Sequence, residues 1–339
     1  MMQEKAERGR FFEDFEVGQL LTHPVPRTLT HGDRALYTSL YPDRRVITSS
    51  DLFARACGLP EAPLHDLALF HIVFGKSVPD ISLNAIANLG YASCRFHRPV
   101  FAGDTISAKS LVLGKKENSS RKSGIVWVRT TGLDRAGETV LEFVRWVMVA
   151  KRNPDSPTAE TIIPECPDMV AVPDLPVPAG VDFMRYDFAL SGEPHRLGDY
   201  RPGEMINHID GVTVEEAEHM MATRLWQNNA RVHFNAESRK DGRRLIYGGH
   251  IMSLARALTC NGLANAQLML AMNAGAHLSP CFAGDTVRAW SHVVEIADSA
   301  VPGAGAIRLR TIASRSEPGP DHDDSDTLLD IDYWALMPL

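Results

Sequence analysis

Two stretches of the chain place apolar residues at helical spacing, and each is followed by runs in which apolar and polar positions alternate. In LHDLALFHIVFG (64–75), Leu67, Phe70 and Phe74 share one side of a helix, and in GHIMSLARALTCNGL (249–263) Met252, Ala255 and Leu258 do the same. Each predicts a buried helix. The runs CRFHRPV (94–100), TISAKSLVLG (105–114), GIVWVRTTGL (124–133) and TVLEFVRWVMVA (139–150) follow the first, and TVRAWSHVVEI (286–296), AIRLRTI (306–312) and TLLDIDYWALM (327–337) follow the second. Their β-branched and aromatic content predicts antiparallel strands. One long helix and then an antiparallel meander, occurring twice, predicts an α+β fold in which each helix is wrapped by a sheet.

The two patterns are copies of each other. DFEVG (14–18) recurs as DYRPG (199–203), an offset of 185 that the pairs Asn88/Asn273 and Gly90/Gly275 keep. FAGDTI (101–106) recurs as FAGDTV (282–287) at an offset of 181, so the second copy has lost four residues in between. Trp146 and Trp334 differ by 188, which places a seven-residue insertion around PGPDHDDSD (318–326). Both length changes fall in turns, where they are tolerated. Between the copies, residues 153–180 hold 7 of the 21 prolines and show neither helical nor strand period, as a semi-extended linker does. The expected division is a first repeat over 10–152, a Pro-rich linker over 153–194 and a second repeat over 195–339.

Composition narrows the function. A chain of 339 residues with 44% hydrophobic and 23% charged residues is long enough for two cores and too apolar to be disordered. A net charge of −7 argues against a nucleic-acid partner. The five cysteines are scattered without a CxxC spacing, which suits a reducing compartment and no zinc site. The N-terminus is charged where a signal peptide is apolar, and no run of 18 apolar residues occurs, so a cytoplasmic protein without a membrane partner is expected. Neither G-x-G-x-x-G nor GxxxxGK[ST] is present, which speaks against dinucleotide oxidoreductases and P-loop NTPases. His65 and His71 do not share a helical face, and DHDDSD (321–326) lacks the glycine and terminal glutamate of a calcium loop, so no metal is expected.

A helix wrapped in an antiparallel sheet, with an F-x-G-D-T turn opening a strand, resembles the hotdog fold, and the duplication resembles a double hotdog. Both copies resemble the MaoC-like, or (R)-specific enoyl-CoA hydratase, family, whose motif has an Asp, a His five residues later and a second His seventeen beyond. In the second copy QNNARVH (227–233) occupies the motif and His250 lies seventeen after His233. In the first, YPDRRVIT (41–48) occupies it and His65 lies seventeen after Thr48. More narrowly, FFEDFEVGQ, ALYTSLYPDRR, SSDLFARACGLP, FHIVFGKSVPDISLNAIANLGYASCRF and VRWVMVAKR are similar to the mesaconyl-CoA (2-methylfumaryl-CoA) hydratases of the ethylmalonyl-CoA pathway. The resemblance implies reversible addition of water to 2-methylfumaryl-CoA to give β-methylmalyl-CoA. The family's acid/base pair is split here: Asp43 stands with Thr48 in one copy, His233 with Asn228 in the other.

Hydration of an enoyl thioester needs a base for water, an acid for C2 and donors for the enolate oxygen. The resemblance assigns His233 as base, with Asp43 orienting water or acting as acid; the alternative for Asp43 is a plain turn residue. Asn228 can only position water or a carbonyl. The backbone at Gly248, Gly249 and His250 opens the second helix and offers unpaired N–H donors, or else those glycines serve only close packing. His65 and Asp66 in the first copy read as a helix-start cap. Arg231 is the first choice for the substrate's C4 carboxylate, with Arg44 and Arg45 as rivals. Lys115, Lys116, Arg121 and Lys122 form a basic hairpin that would suit the phosphates of coenzyme A. Because the motifs diverge, one working site per chain is expected, with His233 and Asp43 sharing it across the repeats. The reading is a hydro-lyase without metal or redox cofactor, coenzyme A entering as part of an acyl-CoA thioester substrate, and compatible with a homo-oligomer. Its rivals are a hydratase for another enoyl-CoA, a non-catalytic acyl-CoA-binding hotdog protein and a thioesterase.

Overall fold

The computed structural model describes residues 5–6, 8–157, 160–319 and 322–339. The first repeat supplies strands β1 (Leu20–Thr28), β2 (Ala85–Phe96), β3 (Thr105–Glu117), β4 (Ser123–Leu133) and β5 (Thr139–Ala150). The second supplies β6 (Met205–Thr213), β7 (Met269–His277), β8 (Thr286–Asp298), β9 (Ala304–Ser314) and β10 (Thr327–Pro338). All pair antiparallel in one sheet of order β1-β3-β4-β5-β2-β7-β10-β9-β8-β6. The two halves therefore have the same internal order and meet at the β2–β7 seam, where Tyr91 lies opposite Gly275 and Cys94 opposite Met272. Two long helices, Asp66–Ile81 and Gly248–Leu258, each pack against the strands of their own repeat, giving the α+β double hotdog.

The strand pattern missed or displaced four strands. β7 was not expected because its first five residues, MLAMN, are all buried, which removes the alternation a half-exposed strand displays. β2 runs over 85–96 rather than 94–100; its first five residues, AIANL, are half-buried or exposed and show no apolar alternation. β1 carries Pro24 and Pro26, tolerated because β1 is an edge strand whose register shifts between His23 and Arg27; β6 is its counterpart at the other edge.

The first core helix extends past the expected 64–75 to Ile81, with Pro79 in its last turn. Gly75 lies at a close approach: a Cβ there would collide with the Trp226 carbonyl, so this glycine lets the motif segment of the second repeat rest directly on the helix of the first. The second core helix stops at Leu258, because Asn261 and Gly262 leave helical geometry. Between the repeats, the segment 153–194 holds two short helical turns, Val172–Asp174 and Phe188–Ser191. It is pinned by Val170, Val181, Phe183 and Tyr186, which pack with Phe53, Leu268 and Trp334. Among the described residues, no helix is long and apolar enough to cross a membrane.

Candidate active site at the junction of the repeats

Past Trp226, which ends the helix Glu216–Leu225, the chain turns sharply: Gln227 has φ of 56° and the Asn228 N–H bonds the Thr223 carbonyl at 2.9 Å. Asn228 Oδ1 then accepts from the Ala230 N–H at 3.2 Å, opening the short turn Arg231–Phe234 that carries His233. Leu245 returns alongside, its N–H bonded to the Val232 carbonyl at 3.0 Å. His233 Nδ1 donates to the Leu245 carbonyl at 2.7 Å, which fixes the tautomer and leaves the lone pair on Nε2. Burial lowers the His233 pKa to about 4, although the Leu245 bond works in the other direction. At neutral pH the imidazole is an uncharged, oriented base.

His233 lines a cavity of about 280 Å³ whose walls come from both repeats. The first contributes Phe74, Val78 and Ser82 from its helix and Asn88, Tyr91 and Arg145 from its strands. The second contributes Asn228, Tyr247, Gly248 and His277, and exposed Ile86 and Leu278 also line the cavity. Gly248 is the first residue of its helix, where backbone N–H groups have no intrahelical acceptor. A Cβ at Gly248 would strike the His277 ring, so the glycine brings helix and imidazole together. His277 Nε2 lies 3.1 Å from the Tyr91 hydroxyl, and its Nδ1 has no protein partner among the described residues. Burial, and then the neighbouring His233, lower the His277 pKa to about 4. Among the described residues, the amide nitrogen of Asn228 is buried without a hydrogen-bond partner, as are both amide atoms of Asn88.

Asp43 does not join His233. It lies 3% exposed in a separate, polar pocket of about 10 Å³, too small for an acyl group. There its carboxylate meets Arg45 Nη1 at 2.7 Å and the Arg45 N–H at 3.1 Å, with His65 Nδ1 at 3.8 Å. Burial alone would raise the Asp43 pKa, but Arg45, His65 and Arg256 bring it down to about 2. The expected sharing of one pocket by His233 and Asp43 is thus corrected: the first repeat's motif is packed shut around buried guanidinium groups. Arg45, one of the rival arginines, is spent on Asp43, Thr259 and the Ala266 carbonyl.

Arg231 lies outside the cavity, exposed, bonded to Asn84 Oδ1 at 3.1 Å and the Arg8 carbonyl at 3.3 Å. Exposed Arg44 is likewise not in its wall. Gly249 and His250 are buried behind Gly248. Gly249 packs on Tyr247 and His71, and His250 Nδ1 faces the Tyr41 hydroxyl at 3.0 Å. His65 and Asp66 do not cap their helix, since His65 makes no cap bond and Asp66 Oδ2 accepts from the Met269 N–H at 2.9 Å. In the basic hairpin, Lys115 bonds the Phe15 carbonyl and Arg121 the Ser156 carbonyl; with exposed Lys116 they lie apart from the cavity wall.

Arg145, Tyr91 and His277 were missed because they lie on strands rather than in the motif. The signal for Arg145 was legible: in TVLEFVRWVMVA it occupies the same face as Leu141, Phe143, Val147 and Val149, a charge on the core side of a strand.

Comparison with known proteins agrees with this architecture. Residues 2–327 match the family model for mesaconyl-CoA hydratase. The mesaconyl-CoA hydratase of Cereibacter sphaeroides is 59% identical over 98% of this chain and 99% of its own length. The β-methylmalyl-CoA dehydratase of Chloroflexus aurantiacus is 52% identical over 99% of both chains. The crystal structure of a MaoC domain dehydratase from Chloroflexus aurantiacus superimposes with a TM-score of 0.95 at 50% identity, covering 99% of each chain. A Mycobacterium tuberculosis protein described as a double hotdog gives 0.76 at 27% identity, over 97% of this chain and 98% of that one. With the repeat, the seam cavity and the match to full-length relatives in agreement, the chain belongs to the mesaconyl-CoA hydratase family.

Proposed function

We propose that the seam cavity reversibly adds water to mesaconyl-CoA, giving β-methylmalyl-CoA, with His233 as the acid/base residue. Neutral His233 accepts a proton from water at Nε2 as the water oxygen bonds to C3, and the C2=C3 electron pair moves onto the thioester carbonyl as an enolate. The Gly248 N–H, at the start of its helix, is the donor for that oxyanion. Asn228 Nδ2 and His277 Nδ1, both without protein partners among the described residues, hold the water and the carbonyl. The enolate collapses as the His233 imidazolium returns its proton to C2, so one O–H bond breaks, C–O and C–H bonds form, and the imidazole is neutral again. The observation that supports this most strongly is the orientation of His233 by Leu245 inside a mostly apolar cavity.

Mixing the protein with mesaconyl-CoA should bleach the enoyl-thioester absorbance, and His233→Gln should slow the change about 10²–10⁴-fold. Absence of turnover by the wild type refutes the reading, and release of free CoA thiol would make the protein a thioesterase instead. A cytoplasmic setting belongs to the same proposal, supported by the five free cysteines, four of them buried.

A further inference from the structure

Arg145 is a fully buried cation that the fold itself leaves without a counter-charge. It projects from β5 at a core-facing position and is 0% exposed, and its guanidinium lies 4.2 Å over the Phe74 ring. Its polar contacts are neutral hydroxyls: Nη2 to Ser77 Oγ at 2.9 Å, and Nη1 and Nη2 to Ser82 Oγ at 3.4 Å. Nε has no hydrogen-bond partner among the described residues. No carboxylate pairs with it among the described residues, and the charged forms of Tyr91 and Tyr247 are the groups that would favour its charge. Burial pulls its pKa down to about 10, so it is still a cation at neutral pH.

Burying a charge without a partner is costly, and proteins that keep one commonly pair it with a ligand. Every other buried arginine here is satisfied: Arg45 pairs with Asp43, and Arg256 donates to the Ala266 and Gln267 carbonyls. Arg145 differs in one further respect, since it forms part of the wall of the cavity that holds His233. A planar guanidinium with unfilled donors, in a low-dielectric wall, is complementary to a carboxylate.

We propose that Arg145 binds the C4 carboxylate of the thioester and is the residue that selects dicarboxylic over monocarboxylic acyl groups. The inference deepens the proposed function and rests on it for the identity of the substrate. That carboxylate is attached to C3, the carbon that water attacks. Pairing it with Arg145 therefore does two things: it holds C3 near His233, and it offsets the negative charge that would otherwise repel electron-rich oxygen from that carbon. Ser77 and Ser82 fix the fork while the cavity is empty.

The test uses two saturated, unreactive thioesters of matched shape, methylsuccinyl-CoA with the carboxylate and 2-methylbutyryl-CoA with a methyl group in its place. Titration calorimetry should show the wild type binding the first about 100-fold or more tightly than the second. In Arg145→Gln the ratio should fall to within a few-fold, with 2-methylbutyryl-CoA bound as well as by the wild type. Circular dichroism verifies folding of that variant. Should it not fold, Arg145→Lys, which keeps the charge but loses the fork, should cut the preference about tenfold. A preference unchanged in either folded variant, or absent from the wild type, overturns the assignment. Failure of the function is separate: a wild type that prefers methylsuccinyl-CoA through Arg145 but does not hydrate mesaconyl-CoA keeps the carboxylate site and loses the reaction.

Discussion

The hydroxyl of Tyr91 and Nε2 of His277 lie 3.1 Å apart, so a residue of the first repeat orients an imidazole of the second across the β2–β7 seam. If the phenol donates, the His277 proton sits on Nδ1 and faces the cavity. Tyr91→Phe removes that control and should lower kcat about 10-fold with KM little changed, while His277→Phe should lower it about 100-fold. Steady-state bleaching of the enoyl thioester measures both, and an unaltered kcat in His277→Phe would remove this residue from the site.

His233 carries a sharper expectation in its pH dependence. Because its folded pKa is lowered to about 4, the base form is present throughout the neutral range. The kcat/KM profile should therefore stay flat from pH 8 down to 5.5, where an ordinary histidine would already have lost activity through pH 6.5. His233→Gln should cost about 10²–10⁴ in kcat at every pH in that range.

Asp43 is predicted to matter for stability and not for turnover. Asp43→Asn leaves the Arg45 charge uncompensated, at a cost of about 3–5 kcal/mol, with kcat within about threefold of wild type. Urea unfolding and turnover of the same sample decide it, and a large loss of kcat in a stable variant would contradict the separation of the two pockets.

Seven histidines, the buried His65, His71, His208, His219 and His250 and the half-buried His233 and His277, have pKa values lowered to about 3 or 4. Near pH 5 each is neutral when folded and protonated when unfolded, so the unfolded state binds more protons and stability falls as pH drops below about 6.5. Each contributes up to about 1.4 kcal/mol per pH unit. Asp66, raised to about 6, acts in the opposite sense over the same range. Unfolding at pH 5 should take up protons net, read from the slope of unfolding free energy against pH. A flat slope between pH 6 and 5 would contradict it.

One thioester should bind per chain. The seam cavity offers about 280 Å³ and its pseudo-symmetric counterpart about 10 Å³, so calorimetry with methylsuccinyl-CoA should give a stoichiometry near one. Two equal sites would mean that the Asp43 pocket opens.

The chain alone determined the duplication, the helix-in-sheet plan and the motif that carries His233, because repeats, apolar periodicity and residue spacing are local properties written in order along the sequence. It also held the clue to Arg145, a charge at an inward position of an apolar strand, which a search confined to the motif passed over. The tertiary structure decided which of the two motif copies encloses a cavity. Asp43 and Asn228 occupy equivalent places, yet one is closed by Arg45 and Arg256 and the other opens beside His277 and Arg145. That difference arises from side chains supplied by the other repeat: Arg256 of the second helix fills the first repeat's pocket, and Arg145 of β5 lines the second's. Volume and charge pairing at such a place depend on how two repeats pack across a seam, which no spacing within either repeat encodes.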